Sequence, residues 1–231
     1  MEPIQKYNAY RFGCSRHLTR DQLDQFIDLF NIAPKPVGGP LGGRTAVSFA
    51  EIKELGSVAV KHYFRGGILP YFNKNKYLKF GETRSQSEYA MLKKAAALGI
   101  NVPEPLVYAC RGTCFYQAWL VTRKIDRALT LARLSLSDKN RLPTLMDQVC
   151  RQIRILIDNG VLHVDLHPGN ILVDGEDRVY IIDFDKSRLS FLKGKALRNR
   201  YINRWQRAVQ KHRLSSILTD SLVTGLTQNL T

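Results

Sequence analysis

Uninterrupted apolar chain, cysteine and, toward one end, acidic residues are what this sequence has little of. Nowhere do about 18 apolar residues stand together, so a membrane-spanning helix is not expected. The opening MEPIQKYNAYRFGC has no apolar stretch of the signal-peptide kind, which argues against export. The four cysteines, Cys14, Cys110, Cys114 and Cys150, lack paired C-x-x-C spacing, which argues against a zinc site and for thiols in a reducing compartment. Stability does not need them: 231 residues suffice to bury a core without staples, as one large domain or two small lobes.

Acids are scarcest near the end. From Lys186 to Thr231 there is one, Asp220, against ten Lys and Arg, so this stretch holds +9 of the formal net charge of +15. Charge concentrated in this way calls for a polyanionic partner: nucleic acid, an acidic membrane or an anionic substrate. The aromatic residues follow no RNP-like pattern, and nucleic acid is not the partner expected.

Thr19 followed by Gln22 has capping-box spacing, and Leu23, Phe26, Ile27 and Phe30 then recur on one face, which predicts a first helix ended by Pro34 and Pro36. Glycine-rich GGPLGGRTAV (38–47) leads into SVAVKHYF (57–64), whose alternation and β-branched residues predict strand, turn and strand. Residues 62–80 form an aromatic and basic loop without an acid. Thr83 with Gln86, or Ser85 with Glu88, supplies a second capping box for a helix over 85–98, stopped at Gly99. PLVYAC and CFYQAWLVT predict a hairpin turning at Arg111-Gly112-Thr113. Leu142, Leu145, Met146, Val149, Ile153, Leu156 and Ile157 then predict a helix over 141–158 with one buried stripe. Asn159-Gly160 ends it, and two short strands follow at 171–173 and 179–182, parted by Asp174-Gly175.

The chemistry lies in HVDLHPGNIL (163–172) and IIDFD (181–185). Asn170 stands five and Asp183 eighteen residues after Asp165, the offsets of a kinase catalytic loop and its metal-binding acid. Phosphoryl transfer from ATP needs a carboxylate to orient the acceptor hydroxyl and take its proton, and oxygen ligands to hold Mg²⁺ on the phosphates. Asp165 suits the first task; Asn170 and Asp183 suit the second. One acid in a turn is usually only a turn acid, but acid, amide and acid at these offsets are not explained that way. The two histidines read as structural: His163 as a packed brace, and His167 as part of a Pro168-Gly169 turn that presents Asn170.

Lys61 ends the predicted strand VAVK, fourteen residues after Val47, where a lysine reaches ATP phosphates. Glu88 on the next helix is its expected partner, with Glu82 the rival. The glycine cluster departs from G-x-G-x-x-G, with Pro40 and Thr45 where glycines would stand, yet the backbone amides of Gly42 and Gly43, with Arg44, remain candidates to cradle phosphate.

Together with KHYFRGG from Lys61, Tyr77-Leu78, Gly81, Arg84, Glu88, INVPEP ending at Pro105 and DFDKSRL from Asp183, these motifs resemble the lipopolysaccharide kinase family. Within it the likeness is to the 3-deoxy-D-manno-octulosonic acid (Kdo) kinases, over residues 40–210 or so. The resemblance implies an α+β, two-lobed protein-kinase-like fold, with a small β-rich lobe over 1–124 and a reduced helical lobe over 125–231. It implies ATP and Mg²⁺ as cofactors, Asp165 as base, Asn170 and Asp183 as metal ligands, and Lys61 as phosphate anchor. The implied acceptor is the Kdo sugar of a lipid A precursor, reached by a peripheral protein on the cytoplasmic face of the bacterial inner membrane.

HPGN is closer to aminoglycoside and choline phosphotransferases, which keeps a small-molecule or protein acceptor as the alternative. Asp183-Phe184-Asp185 in place of DFG, and no APE-like segment after it, argue against a regulated activation segment. A catalytically silent nucleic-acid-binding protein of kinase fold is the third reading; base, metal ligands and lysine present together argue against silence. Leu197, Tyr201, Trp205, Ala208 and Val209 make an apolar stripe on a helix predicted around 196–212, which also carries Arg198, Arg200, Arg204, Arg207 and Lys211. Two readings of it stay open: a basic amphipathic helix lying on an anionic membrane, and a helix packed on the second lobe with its basic face solvated.

Overall fold

The computed structural model describes residues 2–32, 46–63, 77–78, 81–113 and 115–228. Gly42, Gly43 and most of the aromatic, basic loop at 62–80 lie outside the described residues. The fold is α+β, and its contacts divide the chain into two units, residues 1–93 with 104–124 and residues 94–103 with 125–231. Residues 94–103, which a cut at 124 assigns to the N-terminal lobe, group with the second unit.

The first unit is built on an antiparallel sheet of β1 (Ile4–Tyr7), β2 (Tyr10–Gly13), β3 (Ala46–Ile52), β4 (Gly56–His62), β5 (Tyr77–Leu78), β6 (Pro105–Gly112) and β7 (Phe115–Arg123). The strand order is β1-β2-β6-β7-β4-β3, with β5 on β7. Helix α1 (Arg20–Asn31) starts at the predicted capping box: Gln22 N–H donates to Thr19 Oγ1 at 3.3 Å and Thr19 N–H to Gln22 Oε1 at 3.0 Å. The predicted face then packs, with Leu23, Phe26 and Phe30 buried and Phe30 stacked on Trp119 at 4.6 Å between ring centroids. The β6–β7 hairpin turns where the sequence puts it. Gly112 has φ +105, and a Cβ there would lie 2.1 Å from the Phe115 carbonyl oxygen, so the turn requires glycine.

Helix α2 (Arg84–Ala97) resolves the choice of caps. Thr83 is the capping residue, its Oγ1 accepting from Gln86 N–H at 3.3 Å, whereas Ser85 is buried and donates to the Ala109 carbonyl. Glu88 is thereby released from any capping role.

The second unit holds β8 (Leu129–Thr130), α3 (Leu131–Ser137), α4 (Leu142–Asp158), β9 (Val161–Leu162), β10 (Ile171–Val173), β11 (Val179–Ile181), β12 (Arg188–Leu189), α5 (Gly194–Lys211) and α6 (Ile217–Thr227). All seven apolar residues of the α4 stripe are buried. Strand β10 pairs with β11 and β8, and β12 with β9. The stripe on α5 is decided too: Leu197, Tyr201, Trp205, Ala208 and Val209 are all buried, and Trp205 Nε1–H donates to the Leu218 carbonyl of α6 at 3.1 Å. This stripe is core, so the reading in which it enters a membrane is withdrawn. Helix α6, absent from the sequence reading, covers α4 through Leu218, Leu222 and Leu226, residues one turn apart.

Gly225 marks how closely α6 approaches α4, since a Cβ on it would stand 2.5 Å from Cys150 Sγ and 3.1 Å from Cys150 Cβ. Gly225→Ala is expected to lower the thermal midpoint although alanine favours helix by about 0.5–1 kcal/mol. In a Cys150→Ala background, which removes Sγ and leaves the 3.1 Å contact with Cβ, the same change should cost less, and thermal unfolding of the four variants measures the difference.

Candidate active site

Lys61 and Glu88 lie in the first unit. Along β4, Val58, Val60 and His62 point into the core, so the alternation of the strand puts Lys61 on the opposite face. Its Nζ donates to both Glu88 carboxylate oxygens, at 2.8 and 2.7 Å, and the Glu88 side chain is only 2 % exposed. The Tyr63 hydroxyl donates to the same carboxylate. A buried carboxylate is tolerated only when paired and hydrogen-bonded in this way. Glu82 is exposed and accepts from the Ser87 hydroxyl at 3.3 Å.

Asp165, Asn170 and Asp183 lie in the second unit, on two loops joined by main-chain hydrogen bonds. After β11, Ile182 N–H donates to the Asn170 carbonyl at 3.0 Å. His163 Nε2 stands 2.9 Å from the Ile182 carbonyl, which only accepts, so that nitrogen carries the proton. The His163 ring is buried edge-on against Phe184 at 4.8 Å, a brace as its sequence setting suggests. Between Ile182 and Phe184, Asp183 is held at φ +63, a left-handed conformation that aspartate tolerates better than most residues. Asn170 Nδ2–H donates to the Asp165 carbonyl at 2.9 Å, which uses one of its two amide hydrogens and fixes which end of the amide is the acceptor Oδ1. An amide oxygen and a carboxylate are the hard donors that Mg²⁺ takes, with phosphate and water completing its shell.

His167 forms the turn that presents Asn170: Gly169 N–H donates to its Nδ1 at 3.1 Å, which puts the proton of the neutral ring on Nε2. Nε2 faces Asp165 Oδ2 at 3.8 Å. Burial holds the imidazole below its ordinary pKa, the Asp183 charge pulls it up, and His212 adds to the lowering. The sequence reading missed Arg204, whose Nη2 donates to Asp165 Oδ1 across thirty-nine residues of chain. Its only sequence signal is its helical offset from Tyr201 and Trp205, which become core and turn Arg204 to their flank.

A strand lysine clasped by a helix glutamate is common, and so is an aspartate loop laced to a second acid. Together in this order on one chain they belong to protein-kinase-like folds. The chain belongs to the lipopolysaccharide kinase (Kdo/WaaP) family, whose model matches residues 33–223. It is 32 % identical over 224 residues to a 3-deoxy-D-manno-octulosonic acid kinase of Haemophilus influenzae (strain 86-028NP), covering 91 % of this chain and 90 % of that protein. Proteins of the same description from Photobacterium profundum and Vibrio vulnificus (strain CMCP6) are each 34 % identical, over 177 and 157 residues. The first match covers 75 % of this chain and 73 % of the relative; the second covers 67 % of this chain and 66 % of the relative, just under two thirds of that protein's length.

Removing Lys61 alone strands a buried carboxylate. Lys61→Ala is expected to destabilise the protein by on the order of 3 kcal/mol, and a second change, Glu88→Gln, should recover much of that. Chemical unfolding of both variants tests the pair, and equal stability of single and double variants would mean that the Glu88 side chain is not stranded by the loss of Lys61.

Proposed function

We propose that the protein is an ATP-dependent sugar kinase that phosphorylates a hydroxyl of Kdo in a lipid A precursor. The lacing of Asp165, Asn170 and Asp183 onto adjoining loops carries this reading, supported by the likeness to Kdo kinases. In it, Asp165 orients the acceptor hydroxyl and takes its proton. Asn170 Oδ1 and the Asp183 carboxylate hold Mg²⁺, which when bound neutralises phosphate charge. Lys61, fixed by Glu88, anchors the ATP phosphates, and the amides of Gly42 and Gly43 are assigned to the same phosphates from sequence alone. HPGN, the feature that favoured a small-molecule acceptor, acts as a turn device through His167 Nδ1 and Gly169, which leaves the acceptor to be decided by assay.

Phosphoryl transfer to Kdo-bearing lipid A precursor, to an aminoglycoside and to a generic protein, run in parallel, tests the proposal. Transfer to the first is expected. Asp165→Asn should lower kcat by about 10²- to 10⁴-fold while ATP still binds. Asp183→Ala or Asn170→Ala should raise the Mg²⁺ requirement or abolish turnover. Wild-type turnover in Asp165→Asn, or transfer to the aminoglycoside or protein alone, would overturn the assignment.

The same reading places the enzyme peripherally on an anionic membrane, the cytoplasmic face of the inner membrane, because a lipid-anchored acceptor does not diffuse into water. Among the described residues no helix is long and apolar enough to cross a membrane. With the α5 stripe buried, β12 and the residues on either side of it take over the contact: Leu189 and Phe191 are 55 % and 106 % exposed, flanked by Lys186, Arg188, Lys193 and Lys195. Shallow apolar insertion and basic charge are the two forces such contact uses, each cation near the surface contributing about 1 kcal/mol. Co-sedimentation with phosphatidylglycerol vesicles should weaken as salt rises, since screening acts over about 8 Å at physiological ionic strength. Phe191→Ser with Lys193→Glu and Lys195→Glu should release the protein and raise KM for the lipid-linked acceptor. Unchanged sedimentation of that variant would remove this segment from the membrane contact.

A further inference from the structure

The face of α5 that flanks its buried stripe lines a cavity, which Tyr201 of the stripe and Leu162, His163 and Val164 also border. Asn199, Arg200, Asn203, Arg204 and Arg207 recur every three or four residues along it and, with Leu192, border a space of about 490 Å³ in the second unit. That volume suits one sugar residue with its substituents. None of the lining residues is acidic.

Three guanidinium groups on successive turns of one helix repel one another, and among the described residues the ion pair they make is that of Arg204 with Asp165. Arg207 Nε–H is tied to the Asn203 carbonyl at 3.1 Å, which steadies one of the three. Arg204 reaches Asp165 through Nη2, while its Nε is buried with no hydrogen-bond partner. A buried guanidinium N–H without an acceptor is a group awaiting one. Burial, and then the charge of Arg207, also weaken the hold of Arg204 on its proton. Arg204 therefore borders the cavity on one side and the proposed base on the other.

We propose that this cavity is the anion subsite of the acceptor: Arg200 and Arg207 bind the carboxylate of the sugar acid, and Arg204 is the positioning residue that aligns Asp165 with the bound sugar. This rests on the proposed kinase reading and deepens it, because it assigns the selectivity for an acidic sugar to one helix face. A planar guanidinium matches a carboxylate through two parallel hydrogen bonds, which a neutral ester cannot reproduce. The distinguishing charge is thus on the acceptor's own ring rather than on the surrounding lipid.

The test compares Kdo-bearing lipid A precursor with the same acceptor methyl-esterified at the Kdo carboxyl. For the wild type, kcat/KM is expected to be about 10- to 100-fold higher on the acid, the range set by one or two hydrogen bonds to a charged group. Arg200→Ala and Arg207→Ala should raise KM for the acid toward that for the ester and leave kcat within a few-fold. Arg200→Lys and Arg207→Lys, which keep the charge and lose the fork, should retain part of the selectivity. Arg204→Gln should lower kcat on both acceptors as well as selectivity. A nucleotide-dependent rise in thermal midpoint reports that each variant is folded. Equal turnover of acid and ester by the wild type, or equal losses on both in Arg200→Ala and Arg207→Ala, overturns the subsite alone. No turnover of either acceptor overturns the kinase reading and the subsite with it.

Discussion

The hydroxyl of Tyr201 is the tie on which the second unit's site depends. It donates to the Val161 carbonyl at 2.6 Å and accepts from His163 N–H at 2.8 Å, so a single buried oxygen satisfies two main-chain groups at the entrance to the aspartate loop. Burial drives its pKa far above the ordinary phenol value, so it stays a neutral donor. Buried polar groups satisfied this fully stabilise and also specify one arrangement. With Tyr201 fixed, the rotation of α5 is fixed, and rotation alone decides that Trp205 points into the core and Arg204 toward Asp165.

From the same loop the constraint passes onward through backbone rather than charge. His163 holds the Ile182 carbonyl, Ile182 N–H holds the Asn170 carbonyl, and Asn170 Nδ2 holds the Asp165 carbonyl. The backbone of both loops is thus held by main-chain groups and the Asn170 amide, while the Asp165 carboxylate is met by Arg204. Groups whose own hydrogen bonds are held elsewhere lose little order when a ligand arrives.

The basic character of the chain divides by physical role. On α5, one helix serves two environments: the apolar stripe closes the core, and the arginines beside it border a cavity. Farther out, the cations around Phe191 sit beside apolar side chains that stay exposed. Amphipathicity read from the sequence sees only that a face is apolar; whether protein or lipid covers it depends on what else the chain folds against it. Here α6 supplies the cover, and its own pattern, ILTDSLVTGLT, is diluted by threonine and glycine and gave no clear periodic signal.

By itself the sequence determined the elements that local rules govern. The capping box at Thr19, the α4 stripe, the hairpin at Gly112 and the offsets joining Asp165, Asn170 and Asp183 all rest on interactions within a few residues or on fixed spacing. The β1–β2 hairpin escaped because each strand is only four residues long, with Asn8 at φ 51 making the turn. Tertiary structure decided what depends on partners distant in the chain. It made Thr83 the cap and Glu88 the counter-ion, because the ring and lysine that enclose Glu88 come from β4 and the residue following it. It assigned the α5 stripe to the core and set Arg204 against Asp165. Contacts of that kind form only when long loops close, and no local propensity encodes them.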